Sequence, residues 1–424
     1  MQENTDAACP QCRATLRASD PRFSVWCPAC DWNLDPIGGE GSWRSRSRAV
    51  ARHERLFHRV LANGTQAAPS NAALYGAIVL ATAVNLVTLA LTGAGVWLLA
   101  AAGTWPERIL GVLALLIAVL LRPRLGRMPG NVLAPDTAPT LYEVADRISA
   151  GLGTRPVDFI AVDGRFRSAY KVVGIRRRRV LVLGLPLWES LTPDERLALL
   201  GYELAHARVG ARLSGRWIQA ALDALVSWAD VFRPGTDEQR ERHAAVLSAR
   251  RWAGRSGVGM ANFGEALLRP LQELLVHTVH LLHRLLSRLG ERSGEQAEYG
   301  ADEAAARLAS ARSVEGLLEA LLLRETAVFA LRRAARSEGD VWEELRDHMN
   351  SVPGTERARR LRLSELRGDA AGTGFPPTYL RIQFVRKLSF AELPVPVTSA
   401  ESRSIDAELE PTRAVFAAWL RESI

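Results

Sequence analysis

The chain has 424 residues and four cysteines, none of them beyond position 30, so a disulfide framework is excluded for everything that follows. It carries no phosphate-cradling loop of the G-x-x-x-x-G-K type, no G-x-S-x-G nucleophile turn and no internal repeat. Those absences exclude P-loop nucleotide hydrolysis, α/β-hydrolase chemistry and a solenoid. The first 70 residues are polar and hold the cysteines, so no secretory signal peptide is expected ahead of the first apolar run. Acidic residues are outnumbered by basic ones, 46 against 54, for a net charge of +8. An anionic partner is implied, either nucleic acid or the anionic leaflet of a membrane. The most consequential absence is a single histidine, taken up below.

The position of the charge decides between those partners. Arg44, Arg46, Arg48, Arg52, Arg55 and Arg59 precede an apolar region, and Arg122, Arg124 and Arg127 follow it. That region runs from Ala72 to Leu121. It is uncharged as far as Trp105, long enough for a first spanning helix that Gly93 and Gly95 could end or kink before Ala102. Trp105-Pro106 reads as a turn, after which a second helix begins and runs to Leu121. Arginine on both flanks places both ends on the cytoplasmic side. The expected partner is therefore the membrane, with a basic juxtamembrane helix over 44–70 and a helical hairpin over 71–123.

The cysteines form two Cys-x-x-Cys knuckles, Cys9-Pro-Gln-Cys12 and Cys27-Pro-Ala-Cys30. Four thiolates at that spacing suit one tetrahedral structural zinc, a ribbon over 1–43. Leu16, Phe23, Val25 and Trp26 are too small a core to fold the segment unaided, so the metal must help. Two disulfides are the alternative pairing, disfavoured by a reducing compartment. Asp6, Asp20, Asp31 and Asp35 dilute the charge of this segment and argue against nucleic acid as its partner.

Leu199-Leu200-Gly201-Tyr202-Glu203-Leu204-Ala205-His206 has the frame of a His-Glu-x-x-His helix, with tyrosine at the first histidine. In the intact motif two imidazoles four residues apart bind zinc from one helical face, and the glutamate polarises the bound water. Here Glu203 would be the general base and His206 a metal ligand. Thr192-Pro193-Asp194-Glu195 supplies an N-cap, a proline at N1 and a capping-box glutamate. Ahead of it, Pro139 opens a helix ending near Gly151 or Gly153. Strands follow over Pro156–Val162, Phe166–Val173 and Val180–Leu183, the last two joined by the charged turn Gly174–Arg179.

The order of membrane hairpin, Leu141-Tyr142 helix, strands, Gly184-Leu185-Pro186-Leu187-Trp188, Thr192–Arg196 and the Tyr202–His206 helix resembles the HtpX-like and CAAX-prenyl-endopeptidase-like integral-membrane zinc metallopeptidases. The resemblance covers about Leu141 to Leu388. It implies a mainly α fold with a small β-sheet, an α+β gluzincin-like peptidase domain over 131–390, and endopeptidase action on membrane or misfolded proteins. Glu298-Tyr299-Gly300-Ala301-Asp302 fits the downstream Glu-x-x-x-Asp helix, which implies Glu298 as a zinc ligand and Asp302 as the partner orienting a ligating histidine. The substrate-binding edge strand falls on Ser168 and Ala169, where the family often has asparagine. The chain departs further at Val209-Gly210-Ala211, in place of Asn-Gly-Asp, and at Gly374-Phe375-Pro376-Pro377, in place of Thr-His-Pro-Pro.

Tyr202 leaves two readings open. A phenolate could join His206 and Glu298 with water as the fourth ligand, but a phenol must first lose a proton from a pKa near ~10. In the other reading the cleft holds no metal, and the protein is a pseudopeptidase that binds proteins as a scaffold or regulator.

The remaining motifs read as structure. His277, His280 and His283 recur on a Leu-rich helix, roughly Asn262 to Gly290. Three imidazoles on one helix cannot easily converge on one ion, so they form a stripe on a helix lying against the membrane or the hairpin. Arg176 to Arg179 reads as a solvated turn and Arg357 to Arg367 as an amphipathic surface helix. A C-terminal tail over 391–424 ends in a helix from Ser404 to Glu422, docked through Val415, Phe416, Trp419 and Leu420.

Overall fold

The computed structural model describes residues 7–16, 20–35, 43–65, 71–101, 103–122, 127–174, 176–210, 213–232, 258–368, 375–390 and 397–423. In chain order the elements are β1 (Ala7–Ala8), β2 (Thr15–Leu16), α1 (Trp43–Asn63), α2 (Asn71–Ala101), α3 (Trp105–Leu120) and β3 (Val132–Leu133). Then come α4 (Pro139–Gly151), β4 (Phe159–Asp163), β5 (Ala169–Val173), β6 (Arg178–Gly184), α5 (Leu185–Glu189), α6 (Pro193–Gly210) and α7 (Leu213–Phe232). The chain closes with α8 (Val258–Leu308), α9 (Ala311–Leu322), α10 (Arg324–Ala334), α11 (Val341–Asn350), α12 (Gly354–Arg367), α13 (Thr378–Val385) and α14 (Ser399–Glu422). The fold is mainly helical with a small mixed sheet.

The chain divides into two compact units, one of Met1–Ala68, Leu125–Ala211 and Arg292–Ile424, the other of Pro69–Arg124 and Arg212–Glu291. The span 131–390 is thus interrupted: residues 212–291 group with the apolar helices rather than with the motif helix.

In the first unit the sheet order is β3-β4-β6-β5, with β4 and β6 parallel and the other pairs antiparallel. Side chains alternate across the pleat as a period of two requires. Ile160, Val162, Leu181 and Leu183 enter the main core, while Ala161, Val173, Val180 and Val182 form a smaller cluster on the opposite face. β5 is an edge strand. The strands are displaced from the sequence reading: β4 starts at Phe159 rather than Pro156, and β5 at Ala169 rather than Phe166. Asp158 explains the first shift. Its carboxylate accepts from the Arg179 backbone N–H at 2.6 Å and from the guanidinium at 3.0 Å, so it closes the end of the sheet as a side-chain acceptor.

α1 packs Leu56, Phe57 and Val60 into the same core, and buried His53 lies 3.2 Å from buried Glu295 of α8. α14 begins five residues earlier than read, because Thr398 and Glu401 form its capping box. Its docking face is Ile405, Leu409, Arg413 and Phe416, whereas Val415 and Trp419 are exposed.

In the second unit α2 is continuous through Gly93 and Gly95, and Leu74–Ala101 is long and apolar enough to cross a membrane. α3 starts at Trp105 with a Thr104–Glu107 capping box and has 16 residues. A Cβ on Gly95 would lie 3.1 Å from the Gly111 carbonyl, and one on Gly111 3.0 Å from that of Gly95. The two helices cross at paired glycines because no side chain fits there. Asn85 donates to the Trp217 carbonyl at 3.1 Å, and Trp217 donates to the Thr82 hydroxyl at 2.9 Å, tying α2 to α7. Trp228 Nε1 donates to the Leu121 carbonyl at 2.8 Å. Ala77, Ala81, Val84, Leu225 and Leu286 are buried within, while Val79, Trp97, Ile109, Val112, Leu274 and Leu281 are exposed. α8 does not stop at Gly290. The histidine stripe and Glu298–Asp302 belong to one helix, and a glycine within it is outweighed by the packing on either side.

Candidate metal and cleft sites

The four cysteines are free thiols whose Sγ atoms all lie within 4.8 Å of one another. Cys9 and Cys30 are 3.7 Å apart and Cys12 and Cys27 3.5 Å, too long for disulfides. Tetrahedral zinc with Zn–S near 2.3 Å would need sulfurs about 3.8 Å apart, so the set fits a metal ion. Burial opposes ionisation of Cys9, but the backbone N–H groups of Cys12 and Gln11 outweigh it and bring the thiol down to about 7. Among the described residues no other group of three or more His, Cys, Asp or Glu side chains converges in this way. His277 and His280 are exposed, with His277 Nδ1 2.7 Å from the Glu273 carbonyl of its own helix.

The second site is built on α6. Glu195 accepts from the Thr192 N–H at 2.8 Å, half of the expected capping box, and Pro193 opens the helix. Gly201 allows a close crossing with α8: a Cβ there would sit 3.3 Å from Ala305 Cα and 3.2 Å from Leu308 Cδ1. That approach carries Tyr202 to Glu298. The Tyr202 hydroxyl donates to Glu298 Oε2, and His206 Nε2 lies 3.6 Å from Glu298 Oε1. The Tyr202 and His206 rings meet edge to face at 4.9 Å. The structure therefore brings Tyr202, His206 and Glu298 together.

Glu203 is buried and accepts from the Tyr170 N–H of β5 at 2.9 Å, so the motif helix lies along the edge strand. Burial, opposed by that hydrogen bond and reinforced by the negative charge of Glu298, pushes the Glu203 carboxyl up to about 8. The unfolded carboxyl ionises near 4.5, so the folded state holds a proton that the unfolded state has lost, and stability falls as pH rises from about 4.5 to about 8. At ~1.4 kcal/mol per unit the effect is a few kcal/mol. Glu203→Gln is expected to raise the melting temperature in detergent clearly more at pH 9 than at pH 5. Equal shifts at both values would show that Glu203 does not carry that proton.

Asp302 holds an arginine rather than a histidine. Arg381 of α13 donates to both Asp302 oxygens, at 2.7 and 2.8 Å, and its Nη1 lies 3.6 Å from Glu298 Oε2. Its guanidinium carbon is 4.8 Å from the centre of the Tyr202 ring. Asp302, Glu298 and Arg381 are all buried. Burial opposes the charge on Arg381, but Asp302, with Tyr202 and Glu298 adding to it, holds its guanidinium well above its ordinary value. Burial pushes the Asp302 carboxyl up, and the charge and hydrogen bonds of Arg381 oppose that rise. Sequence reasoning missed Arg381. Its signal was a lone cation in Tyr379-Leu380-Arg381-Ile382-Gln383-Phe384-Val385, a short helix otherwise apolar but for Gln383.

Ser168 accepts weakly from the Gly184 N–H at 3.3 Å, and Ala169 pairs with Val182 in the β5–β6 register. Phe375 is exposed. Ala211, Gly374 and the side chain of Val209 lie outside the described residues.

The donor set does not fit a catalytic zinc. Tyr202 is a hydrogen-bonded phenol that burial keeps protonated, its pKa well above the ordinary value. Glu298 already accepts from that phenol and faces the guanidinium that supplies the local positive charge. That leaves His206, itself 3.6 Å from Glu298 Oε1, short of the three protein ligands that a catalytic zinc requires. No protein-family model, curated protein or solved structure was found to match the chain.

Proposed function

We propose that this is a membrane-anchored, peptidase-like protein whose cleft holds an extended polypeptide without hydrolysing it. One observation carries the reading: the Tyr202–Glu298–Arg381–Asp302 network satisfies with a phenol and a guanidinium the carboxylates that a metallopeptidase would turn to a metal. Without a metal-activated water, Glu203 has nothing to deprotonate. It remains a buried carboxyl hydrogen-bonded to the edge strand.

Several features support descent from a gluzincin-like peptidase domain. They are the sheet with an accessible edge, the helix bearing Glu203 and His206 along it, and the crossing helix bearing Glu298 and Asp302. The apolar exterior of the second unit supports a membrane hairpin in which α2 spans and α3 returns. At 16 residues α3 is about 24 Å long, so its flanks must complete the ~30 Å crossing. Arginines before and after the hairpin favour the cytoplasm for both soluble parts. Four thiols at tetrahedral spacing favour zinc as the ribbon metal.

Strand addition to β5 is the binding mode that this geometry favours. Tyr170 N–H points outward to Glu203, so Val172, two residues on, presents its backbone to the same side. The test uses the full chain in detergent and a fluorescent unfolded polypeptide. Binding without cleavage is expected, and Val172→Pro should weaken it at least tenfold, since proline removes the outward N–H yet is tolerated on an edge. Cleavage that Glu203→Gln abolishes would overturn the proposal in favour of a zinc endopeptidase using His206 and Glu298.

A further inference from the structure

The ribbon lies against the first unit's own helices, and the contacts fall where the metal fixes the chain. Asp31 directly follows the ligand Cys30 and is held in the left-handed region, φ 57°, by the knuckle turn in which its N–H donates to the Cys27 carbonyl at 2.9 Å. From there its carboxylate accepts from Arg362 of α12 at 2.8 and 3.2 Å. Leu34 is buried, and its carbonyl accepts from Arg359 at 2.8 Å. Asp35 accepts from Arg367 at 2.8 Å, and Trp26 Nε1 donates to the Thr355 carbonyl at 3.1 Å. Two of the acidic residues that dilute the ribbon's charge, Asp31 and Asp35, are therefore matched to arginines of α12. The helix that reads from sequence as an amphipathic surface helix lies beneath them.

We propose that the cysteine site is a metal-dependent latch on α12, and that the ribbon's binding partner is this segment of its own chain. The second knuckle has no independent core. The small cluster it shares with the first knuckle is Cys9, Leu16 and Cys27, with Cys30 and Trp32 packed beside them. Without a metal across the four thiols, only short-range hydrogen bonds, such as Asp31 N–H to the Cys27 carbonyl and Asn33 to the Val25 carbonyl, hold the turn at Asp31 and Asn33, both in left-handed backbone conformations. The carboxylate of Asp31 and the carbonyl of Leu34 then lose their aim at Arg362 and Arg359. α12 in turn packs against α13, which carries Arg381, so the latch secures the helix next to the cleft arginine. The inference does not depend on the cleft being inactive.

Hydrogen exchange on the full chain in detergent tests it, with zinc bound and after chelation. Removing the metal is expected to speed exchange across 354–367 at least tenfold while leaving 139–151 unchanged. Asp31→Asn combined with Asp35→Asn keeps all four thiols, and asparagine tolerates the left-handed conformation. This variant should retain its zinc and still exchange several-fold faster over 354–367. Unchanged exchange there after metal loss, or in the double variant, would overturn the latch. So would an equal rise over 139–151, which would make the metal a general folding requirement.

Discussion

Arg381→Leu is expected to destabilise the protein by about 3–5 kcal/mol, because it leaves buried Asp302 and Glu298 without the cation that neutralises them. The leucine can fill part of the volume, but it supplies no donor to either Asp302 oxygen. Arg381→Lys should recover only part of the loss, since an ammonium cannot make the two parallel bonds at 2.7 and 2.8 Å or lie flat over the Tyr202 ring. Thermal melting in detergent measures both. A loss below about 1 kcal/mol for Arg381→Leu would mean that Asp302 is neutral and that the network is not ionic. The double change Arg381→Leu with Asp302→Leu gives a second check: removing both charges should cost less than removing the arginine alone.

The second large effect is expected at Glu189. Its side chain is fully buried and lies at the centre of a network that joins α5 to three other helices. It accepts from Arg346 of α11 and from Arg413 of α14 at 2.7 Å, with Arg196 of α6 at 3.8 Å. Asp406 adds bonds to Arg196 and Arg413 at 2.8 and 2.7 Å from a more exposed position. Glu189→Ala leaves only the more exposed Asp406 and Glu410 to serve the inner arginines, and Arg413 and Arg196 are themselves buried. A loss of about 3 kcal/mol or more follows, again by melting. Because the network fastens the start of α6, the same variant should loosen α14 first, seen as faster hydrogen exchange over 399–422 than over 139–151. A neutral outcome would show that Asp406 and Glu410 suffice for the two arginines.

These two residues mark the limit of what the sequence makes legible. Whereas Trp105-Pro106, read as a turn, forms the first turn of α3, local spacing identified the metal knuckles and the capped helix carrying Tyr202, Glu203 and His206. Each of these depends on residues a few positions apart, where backbone geometry alone sets which side chains share a face. Arg381 reaches Asp302 across 79 positions, and Glu189 meets Arg346 and Arg413 across 157 and 224. No periodicity reports such pairings. The ribbon's engagement with α12 was hidden for the same reason: Asp31 and Arg362 look like surface charges until the fold brings them together. The strand limits failed differently. Asp158 and Phe166 have the composition of strand ends, but side-chain bonding at Asp158 and the start of pairing at Ala169 set the boundaries.

Tyr202 also changes meaning with its surroundings. Read alone, it is a lost ligand whose phenolate could still bind zinc. In the fold its hydroxyl is committed to Glu298, and its ring lies beneath Arg381. The substitution and the arginine together give the carboxylates partners that a metal would otherwise supply.

Zinc per chain, measured on the purified protein, tests the central claim most directly. One equivalent is predicted, lost when Cys27 and Cys30 are changed to serine and unaffected by Glu298→Ala. A second equivalent that survives the cysteine changes and disappears with Glu298→Ala would contradict the account, because it would place a metal where the phenol and the guanidinium now satisfy the site.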